Sequence, residues 1–360
     1  MKHSSTTSFG RLSGLDETKP PPSLVVSFGM GLDSSAMLLR WFSDPASRDF
    51  DLTNMAVVTA MTGHESAATI DAVSRLMLPL FRDHGVRFIQ AARSKRKTTR
   101  AGDGVVILDD SRSSRRLHAA GCYTLADEMV SAATLPQRGG ARICSVHSKG
   151  DVLDPVIARI TAGQPYRHAL GFEANEAGRS DKDRLHDTAQ RTGWYPLQEW
   201  NWTRQDCHRF VLDVLGESIP KSACGFCPFA MSTAAGRAQT VERYRQEPQL
   251  GVDALFLEFL ARSVNPAQTL IEGSSVAELV DRSHLTDVQD RFEARLDGCE
   301  WALYEVRRVV RPAQGGGRGI TARSLRVAAT GTRHAMSERL LAQPGRRVHG
   351  ADGIVRHVLL

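Results

Sequence analysis

The chain has 360 residues, of which 41% are hydrophobic, 24% charged and 6% aromatic. This composition is typical of a globular protein of about two domains, and it excludes collagen-like and low-complexity disordered chains. No stretch approaches about 18 consecutive apolar residues, so we expect no membrane span. The first part of the chain lacks the apolar stretch of a signal peptide, which predicts a cytoplasmic protein.

Lysine and arginine number 46 against 40 acidic residues, which gives a formal charge of +6. The basic residues concentrate in residues 93–116 and 307–356. Local basic runs suit an anionic partner such as a nucleotide or a nucleic acid. Solvated surface loops are the alternative interpretation of either run.

The first part of the chain predicts a flexible tail over residues 1–23, followed by an α/β domain. Apolar runs predict three strands, and helical spacing predicts the helices between them: strands at 24–28, 55–60 and 86–90, and helices at 34–42 and 67–84. Alternation of strands and helices indicates a doubly wound, mostly parallel sheet.

The same domain is expected to extend from 24 to 235. It contains two further strands and three further helices: strands at 105–108 and 168–171, and helices at 125–133, 152–161 and 201–215, the last with Thr203 as its N-cap. Residues 236–360 predict a C-terminal α+β appendage. Its elements are helices at 238–262 and 275–296 and paired strands at 301–310 and 320–329.

The segment Ser27–Ser34, with sequence Ser-Phe-Gly-Met-Gly-Leu-Asp-Ser, lies between the first strand and the first helix. Glycines there let backbone N–H groups approach a polyphosphate, and the helix start adds further donors. Asp33 is a hard carboxylate ligand of the kind that Mg²⁺ prefers. The segment lacks the Gly-Lys-Ser/Thr of a P-loop and the glycine spacing of a dinucleotide fingerprint. An ordinary strand–helix turn is the alternative.

Among the six cysteines, only Cys224 and Cys227 have close ligand spacing, as Cys-Gly-Phe-Cys. Six cysteines in a cytoplasmic chain of this size do not indicate a disulfide framework. The spacing allows two thiolates to bind one metal. A redox dithiol pair and buried apolar cysteines are the alternatives.

The segment Ser27–Ser34 resembles the pyrophosphate loop of the PP-loop ATP pyrophosphatases, in the branch similar to phosphoadenosine phosphosulfate (PAPS) reductases. Further segments resemble motifs of that branch in the same order: Thr62–Glu65, Arg142–Lys149, Gly171–Arg179, Tyr195–Trp200 and Ser222–Pro228. The motif order also resembles the ATP-pyrophosphatase component of DNA phosphorothioation systems. One departure is Phe172, which stands where the family motif has its first arginine. The resemblance covers about residues 24–230.

The resemblance implies an adenine nucleotide alpha hydrolase-like fold that binds ATP at the carboxyl end of the sheet and transfers AMP to an acceptor, releasing pyrophosphate. It implies that ATP or its pyrophosphate is bound by Ser27, Phe28, Gly29, Gly31, Asp33, Ser34, Thr62 and Gly171. It also implies four catalytic residues: Asp33 as a Mg²⁺ ligand, Lys149 and Arg179 as phosphate-neutralising cations, and Glu173 on Mg²⁺ or substrate.

The family topology adds Cys144 as a third ligand beside Cys224 and Cys227. Three thiolates can hold a [4Fe–4S] cluster with one open iron. A closed Zn²⁺ site, the alternative, needs a fourth ligand, for which His147 and Cys207 are the candidates.

These expectations combine into one leading hypothesis: an enzyme that adenylates an acceptor and then delivers sulfur to it, similar in chemistry to the tRNA thiolases. The acceptor is a nucleic acid (tRNA or DNA) or a metabolite, and the partner is a sulfur-donor protein such as a cysteine desulfurase. Oligomerisation is compatible with this hypothesis. One alternative is a PAPS or adenylylsulfate reductase, although no cysteine follows Cys299 to act as its nucleophile. Another is a nucleotide-sensing subunit of a defence complex.

Overall fold

The computed structural model describes residues 12–138, 143–220, 222–311, 320–350 and 353–359. The chain divides into two compact units. The first comprises Met1–Ser131 and Pro136–Cys227, and the second comprises Ala132–Leu135 and Pro228–Leu360. None of the described helices combines the length and the apolar character that crossing a membrane requires.

A six-stranded sheet forms the centre of the first unit. Its strands are β1 (Leu24–Ser27), β2 (Met55–Met61), β3 (Arg87–Arg93), β4 (Val105–Ser111), β5 (Tyr166–Leu170) and β6 (Arg191–Trp194). Their spatial order is β4–β3–β2–β1–β5–β6, and every neighbouring pair is parallel except β3 and β4. The predicted α/β class with a mostly parallel sheet is confirmed.

Helices and helical turns connect these strands. They are α1 (Leu32–Ser43), α2 (Ala67–Ala72), a π-helical turn (Val73–Met77), α3 (Leu78–Asp83), α4 (Leu125–Ala132), α5 (Ile143–Ser145), a second π-helical turn (Val146–Gly150), α6 (Asp151–Thr161), α7 (Ala177–Arg184), α8 (Pro196–Glu199) and α9 (Arg204–Leu215). The predicted N-cap of α9 is confirmed, because the Thr203 hydroxyl accepts from the Asp206 N–H and completes a capping box.

Alternating residues of β1 bury opposite faces of the sheet. Leu24 and Val26 belong to a core that includes residues of α1, α3 and α9. Val25 belongs to a separate core on the other face, with Val152 and Val156 of α6. Because strand side chains alternate between faces, this pattern requires helices on both sides of the sheet.

The position of β1 between β2 and β5 determines where a ligand can bind. The chain leaves β1 toward β2 on one side, and it later returns to pair β5 on the other side. The order of strands therefore reverses at β1, and the loops that follow β1 and β5 flank a crevice at the carboxyl ends of the strands. In open α/β sheets ligands bind at such switch points.

Part of the segment that we expected to be a flexible tail packs against the sheet. Leu12 is buried in the core that contains Val25. The Asp16 N–H donates to the Asp110 carboxylate (2.8 Å), and that carboxylate forms a bidentate ion pair with Arg87 at 2.7 and 2.8 Å. Residues 1–11 lie outside the described part of the chain.

The second unit contains helices and two β-ribbons. Its elements are α10 (Ala234–Gln246), α11 (Pro248–Val264), α12 (Val276–Arg282), α13 (Thr286–Gly298), β7 (Trp301–Arg311), β8 (Ile320–Gly331), α14 (Arg333–Leu341), β9 (Arg346–His349) and β10 (Val355–Val358). β7 pairs antiparallel with β8, as the sequence predicts. The glycine-rich residues 312–319 between them lie outside the described part of the chain.

Candidate active site

The loop that joins β1 to α1 presents free backbone donors. Gly31 is the N-cap of α1, and no side chain of the described residues caps this helix start. The first N–H groups of a helix have no partner within the helix, so those of α1 face the loop and carry the positive end of the helix dipole. Met30 has a left-handed backbone (φ 57°) although it is not glycine, and its side chain is buried in the core. Such a backbone is typical of functional loops.

Gly29 and Gly171, two glycines of the site, have different surroundings. A Cβ added at Gly29 would meet no atom of the described residues within 4 Å, and Gly29 is exposed. A Cβ at Gly171, just after β5, would lie 2.9 Å from the backbone nitrogen of Ser34. Gly171 therefore allows the end of β5 to approach the start of α1, whereas Gly29 leaves open space beside the loop.

Asp33 is the centre of a group of charged residues. Its carboxylate forms an ion pair with Arg204, the first residue of α9. Burial raises the pKa of Asp33 above its ordinary value, and the ion pair with Arg204 opposes that rise. The negative charges of Glu176 and Glu173 raise this pKa further. Three carboxylates and one guanidinium thus share the carboxyl end of the sheet.

Two carboxylate oxygens of this group have no hydrogen-bond partner among the residues that the structure describes. They are Oδ1 of Asp33 and Oε2 of Glu176, and both are buried. Glu173, in contrast, has a local role, since its Oε2 accepts from the Asn175 N–H at 3.0 Å. Mg²⁺ is usually bound by one or two carboxylates, with substrate phosphates and water as the remaining ligands. The two unpartnered oxygens suit such a partial ligand set.

Arg179 and Phe172 are neighbours in the structure. The Arg179 guanidinium lies 4.2 Å from the centre of the Phe172 ring, and it forms an ion pair with Glu176 at 2.7 Å. Phe172 in turn stacks on Tyr195 with ring centres 5.8 Å apart. Phe172 therefore supports Arg179 beside the Glu176 carboxylate.

The structure also gives the positions of three further predicted residues, Phe28, Thr62 and Lys149. Phe28 is buried against Phe81 and Phe88, so only its backbone is available to a ligand. Thr62 is buried at the end of β2, and its carbonyl accepts from the Leu125 N–H. Lys149 lies in the π-helical turn before α6 and forms no ion pair with any residue that the structure describes.

The Cys-x-x-Cys segment lies next to the loop after β1. The Ser222 hydroxyl donates to Glu65 at 2.9 Å, and the His64 ring contacts the buried Phe226 ring at 5.1 Å. A Cβ at Gly31 would lie 3.5 Å from the Cβ of Ser222. Two motifs that are separated by about 190 residues in sequence, the loop and the cysteine segment, are thus adjacent in the fold.

The three predicted thiols influence one another. A hydrogen bond with Cys227, together with burial, raises the pKa of Cys224 well above its ordinary value. Burial raises the pKa of Cys144, and the neighbouring Cys227 adds to that rise. Nevertheless, no group of three or more Cys, His, Asp or Glu among the described residues is arranged to hold a metal ion.

Sequence reasoning missed two residues of the site, Arg204 and His168. Arg204 follows the predicted N-cap Thr203, so the sequence indicated that it begins a helix. The sequence did not indicate that Arg204 forms an ion pair with Asp33. His168 lies within a predicted strand, and its Nε2 is 2.8 Å from the Ser27 hydroxyl oxygen. The polar character of His168 beside Ala169 and Leu170 was the available indication.

Several residues of the first basic run serve the fold. Arg93 forms an ion pair with the carboxylate of Glu128, and Lys95 pairs with Asp103 at 2.7 Å. Arg112 donates to backbone carbonyls. These contacts favour a structural role for these members of residues 93–116 over a free cationic surface.

Three tryptophans, Trp194, Trp200 and Trp202, pack on the core. Trp194 stacks on the buried Trp41 with ring centres 5.2 Å apart, and Trp200 and Trp202 pack against the same core. These contacts make the three rings part of the core of the first unit.

Comparison of the sequence with protein-family models finds no family that matches the chain, and comparison with curated proteins finds no match either.

Proposed function

We propose that this chain is an ATP pyrophosphatase that transfers AMP to an acceptor and releases pyrophosphate. The observation that carries the proposal is the loop after β1, which lies at the switch point of the sheet with open space at Gly29 and an uncapped helix start. The resemblance of Ser27–Ser34 to a pyrophosphate loop supports the same proposal. An adenine nucleotide alpha hydrolase-like fold is part of it.

In this proposal the protein acts mainly by charge and position. Backbone N–H groups of the loop and the hydroxyls of Ser27 and Ser34 donate hydrogen bonds to the pyrophosphate oxygens. Arg179 and Arg204 are placed to neutralise the charge that develops when the bond between the α and β phosphates breaks. Phosphoryl chemistry of this kind depends on electrostatic stabilisation and alignment more than on covalent steps.

Mg²⁺ belongs to the proposed site. Asp33 and Glu176 would hold it through the two oxygens that have no partner. When bound, Mg²⁺ supplies positive charge to the phosphate oxygens. Binding at Asp33 requires the carboxylate form, which Arg204 favours by opposing the rise of the Asp33 pKa.

Incubation of the purified chain with ATP, Mg²⁺ and candidate acceptors, with measurement of AMP and pyrophosphate, tests the proposal. We expect release of both products and loss of release in Asp33→Asn. Ser43→Ala, at the far end of α1, is the matched control and should behave as wild type. Binding of ATP without pyrophosphate release in the presence of tRNA, DNA or cell metabolites would favour the nucleotide-sensing alternative. Sulfite release from PAPS with a thiol reductant would favour the reductase alternative.

The neighbouring thiols support sulfur transfer as a second proposed function. Cys224 and Cys227 share a hydrogen bond, and Cys144 is close enough to Cys227 for its pKa to respond. These thiols lie in the unit that contains the loop. The described thiols do not form a ready metal site, so the proposal rests on their proximity alone. Iron, sulfide and zinc analysis of anaerobically purified protein decides among a [4Fe–4S] cluster, Zn²⁺ and free thiols.

A further inference from the structure

A chain of polar side chains crosses one end of the sheet and finishes at the loop after β1. The Ser27 hydroxyl oxygen lies 2.8 Å from Nε2 of His168, which is the residue of β5 that pairs with Val25. The other ring nitrogen, Nδ1, lies 3.0 Å from Nε of Arg191 on β6. Three adjacent strands thus contribute one member each.

The chemistry of arginine fixes which nitrogen of His168 carries the proton. A guanidinium can only donate, so Nδ1 must accept from Arg191. The neutral ring therefore has its proton on Nε2 and donates it to the Ser27 oxygen. Burial and the adjacent guanidinium lower the pKa of His168 to about 4, so the ring is neutral at physiological pH.

Two carboxylates hold Arg191 in position. Asp183 and Asp187 form ion pairs with Arg191 at 2.6 and 2.7 Å. The Tyr195 hydroxyl donates to the same Asp183 carboxylate at 2.8 Å. The Arg191 side chain has an exposed fraction of only 12%, so the fold sets the orientation of its guanidinium and, with it, that of the His168 ring.

A hydroxyl group has one proton to donate. Because the Ser27 oxygen accepts from His168, its own proton is left for another acceptor. Ser27 is the last residue of β1 and the first residue of the loop. We propose that His168 is a positioning residue that makes the Ser27 hydroxyl a fixed donor to a phosphate oxygen of the bound ligand. This inference rests on the proposed function, because it needs a phosphate group in the loop.

The test measures binding of inorganic pyrophosphate, and of ATP, with Mg²⁺ by calorimetry. Two variants test the roles of the two ring nitrogens of His168. The side chain in His168→Asn keeps a hydrogen-bond acceptor near the position of Nδ1 but does not reach Ser27. The side chain in His168→Gln keeps a hydrogen-bond donor near the position of Nε2. We expect Ser27→Ala to weaken binding about tenfold, because it removes one hydrogen bond to a charged group. His168→Asn should weaken binding to a similar extent, because it removes the hydrogen bond that orients the Ser27 hydroxyl. His168→Gln should stay within about twofold of wild type.

The double variant Ser27→Ala/His168→Asn distinguishes positioning from a general structural effect. If His168 acts through the hydroxyl, the double variant binds as weakly as Ser27→Ala alone, since coupled residues are not additive. Multiplied losses, or a His168→Asn variant that binds as wild type while Ser27→Ala does not, would overturn the inference. Thermal unfolding of each variant checks that it folds. A wild-type chain that binds neither ligand would overturn the proposed function itself.

Discussion

Asp33 and Arg204 form an ion pair although 171 positions separate them in sequence. The pair joins the start of α1 to the start of α9, two helices that pack against each other. It places a cation beside the carboxylate that we assign to Mg²⁺. The pair therefore controls the charge state of Asp33.

Arg204→Gln should move the acid limb of Mg²⁺-dependent ATP binding to higher pH. The substitution removes the group that opposes the rise of the Asp33 pKa, while burial and Glu176 continue to raise it. The charged form of Asp33, which the metal needs, is then reached only at higher pH. Binding of ATP measured from pH 5 to pH 9 checks this. The control is Arg209→Gln, which changes an exposed arginine that pairs with Asp206 on the same helix. It should leave the pH profile of ATP binding unchanged.

Gly29→Ala should weaken ATP binding, whereas Gly171→Ala should lower the stability of the fold. At Gly29 a methyl group meets no atom, so we expect unchanged stability and a loss of ATP affinity of at least about tenfold, because the methyl occupies space beside the phosphates. At Gly171 a methyl lies too close to the backbone of Ser34, so we expect a loss of about 1–3 kcal/mol in stability. Urea unfolding and ATP titration of both variants test the pair. Equal loss of stability in both would contradict the open space at Gly29.

Lowering the pH should release the segment that contains Asp16 from the edge of the sheet. Burial alone would raise the pKa of Asp110, but hydrogen bonds from Arg87 and from the Asp16 N–H outweigh it and hold the pKa below its ordinary value. An acid with a lowered pKa stabilises the fold above its ordinary pKa, and this stabilisation is lost as the pH falls through the lowered value. Hydrogen exchange of the Asp16 N–H reports the contact directly.

We expect protection of that N–H at pH 5 and its progressive loss below about pH 4. Asp110→Asn breaks a buried ion pair, so it should cost about 3 kcal/mol at neutral pH and remove the acid-dependent step. A protection pattern that is the same in the variant would show that Asp110 does not hold the segment.

Glu258→Ala should destabilise the second unit. The Glu258 carboxylate is buried and accepts from the N–H groups of Leu270 and Val276, both at 2.8 Å. Truncation leaves two buried donors unpaired, which costs about 2–4 kcal/mol. Urea unfolding of the full chain measures the loss. Glu242→Ala, on an exposed part of α10, is the control and should change stability by less than about 0.5 kcal/mol.

Alkylation should distinguish the thiols near the loop from the exposed one. The raised pKa values of Cys144 and Cys224 reduce their thiolate fraction at neutral pH, and the thiolate is the reactive form. We expect both to react more slowly with iodoacetamide at pH 7 than the exposed Cys122, and faster as the pH rises. Mass spectrometry of peptides resolves each site. Rapid reaction of Cys224 at pH 7 would contradict the raised pKa.

The sequence was sufficient to predict the central strands, because β1 and β2 are largely apolar runs and β3 contains the apolar pairs Phe88–Ile89 and Ala91–Ala92. It did not predict β6 or α7. The sequence of β6 is Arg-Thr-Gly-Trp, which has neither an apolar run nor alternation, and α7 is polar on all sides. Both elements depend on tertiary contacts, such as the ion pairs of Arg191, that a local pattern does not encode.

The residues of the candidate site likewise divide into those that the sequence predicted and those that it did not. The loop after β1 was predictable because its glycines, hydroxyls and carboxylate are consecutive. Arg204 and His168 were not, because their partners in the loop lie far away in sequence and only the order of the strands and helices brings them together. Gly171 was predicted as a ligand contact, and the structure adds a packing reason for it.

The backbone at Met30 has an energetic consequence. A left-handed conformation at a residue other than glycine costs about 1–3 kcal/mol, and the burial of the Met30 side chain in the core offsets this cost. The packing of the Met30 side chain therefore favours this conformation of the turn in the free protein. A ligand would then lose little affinity to ordering the peptide around it, and association would not wait for a slow rearrangement of this turn.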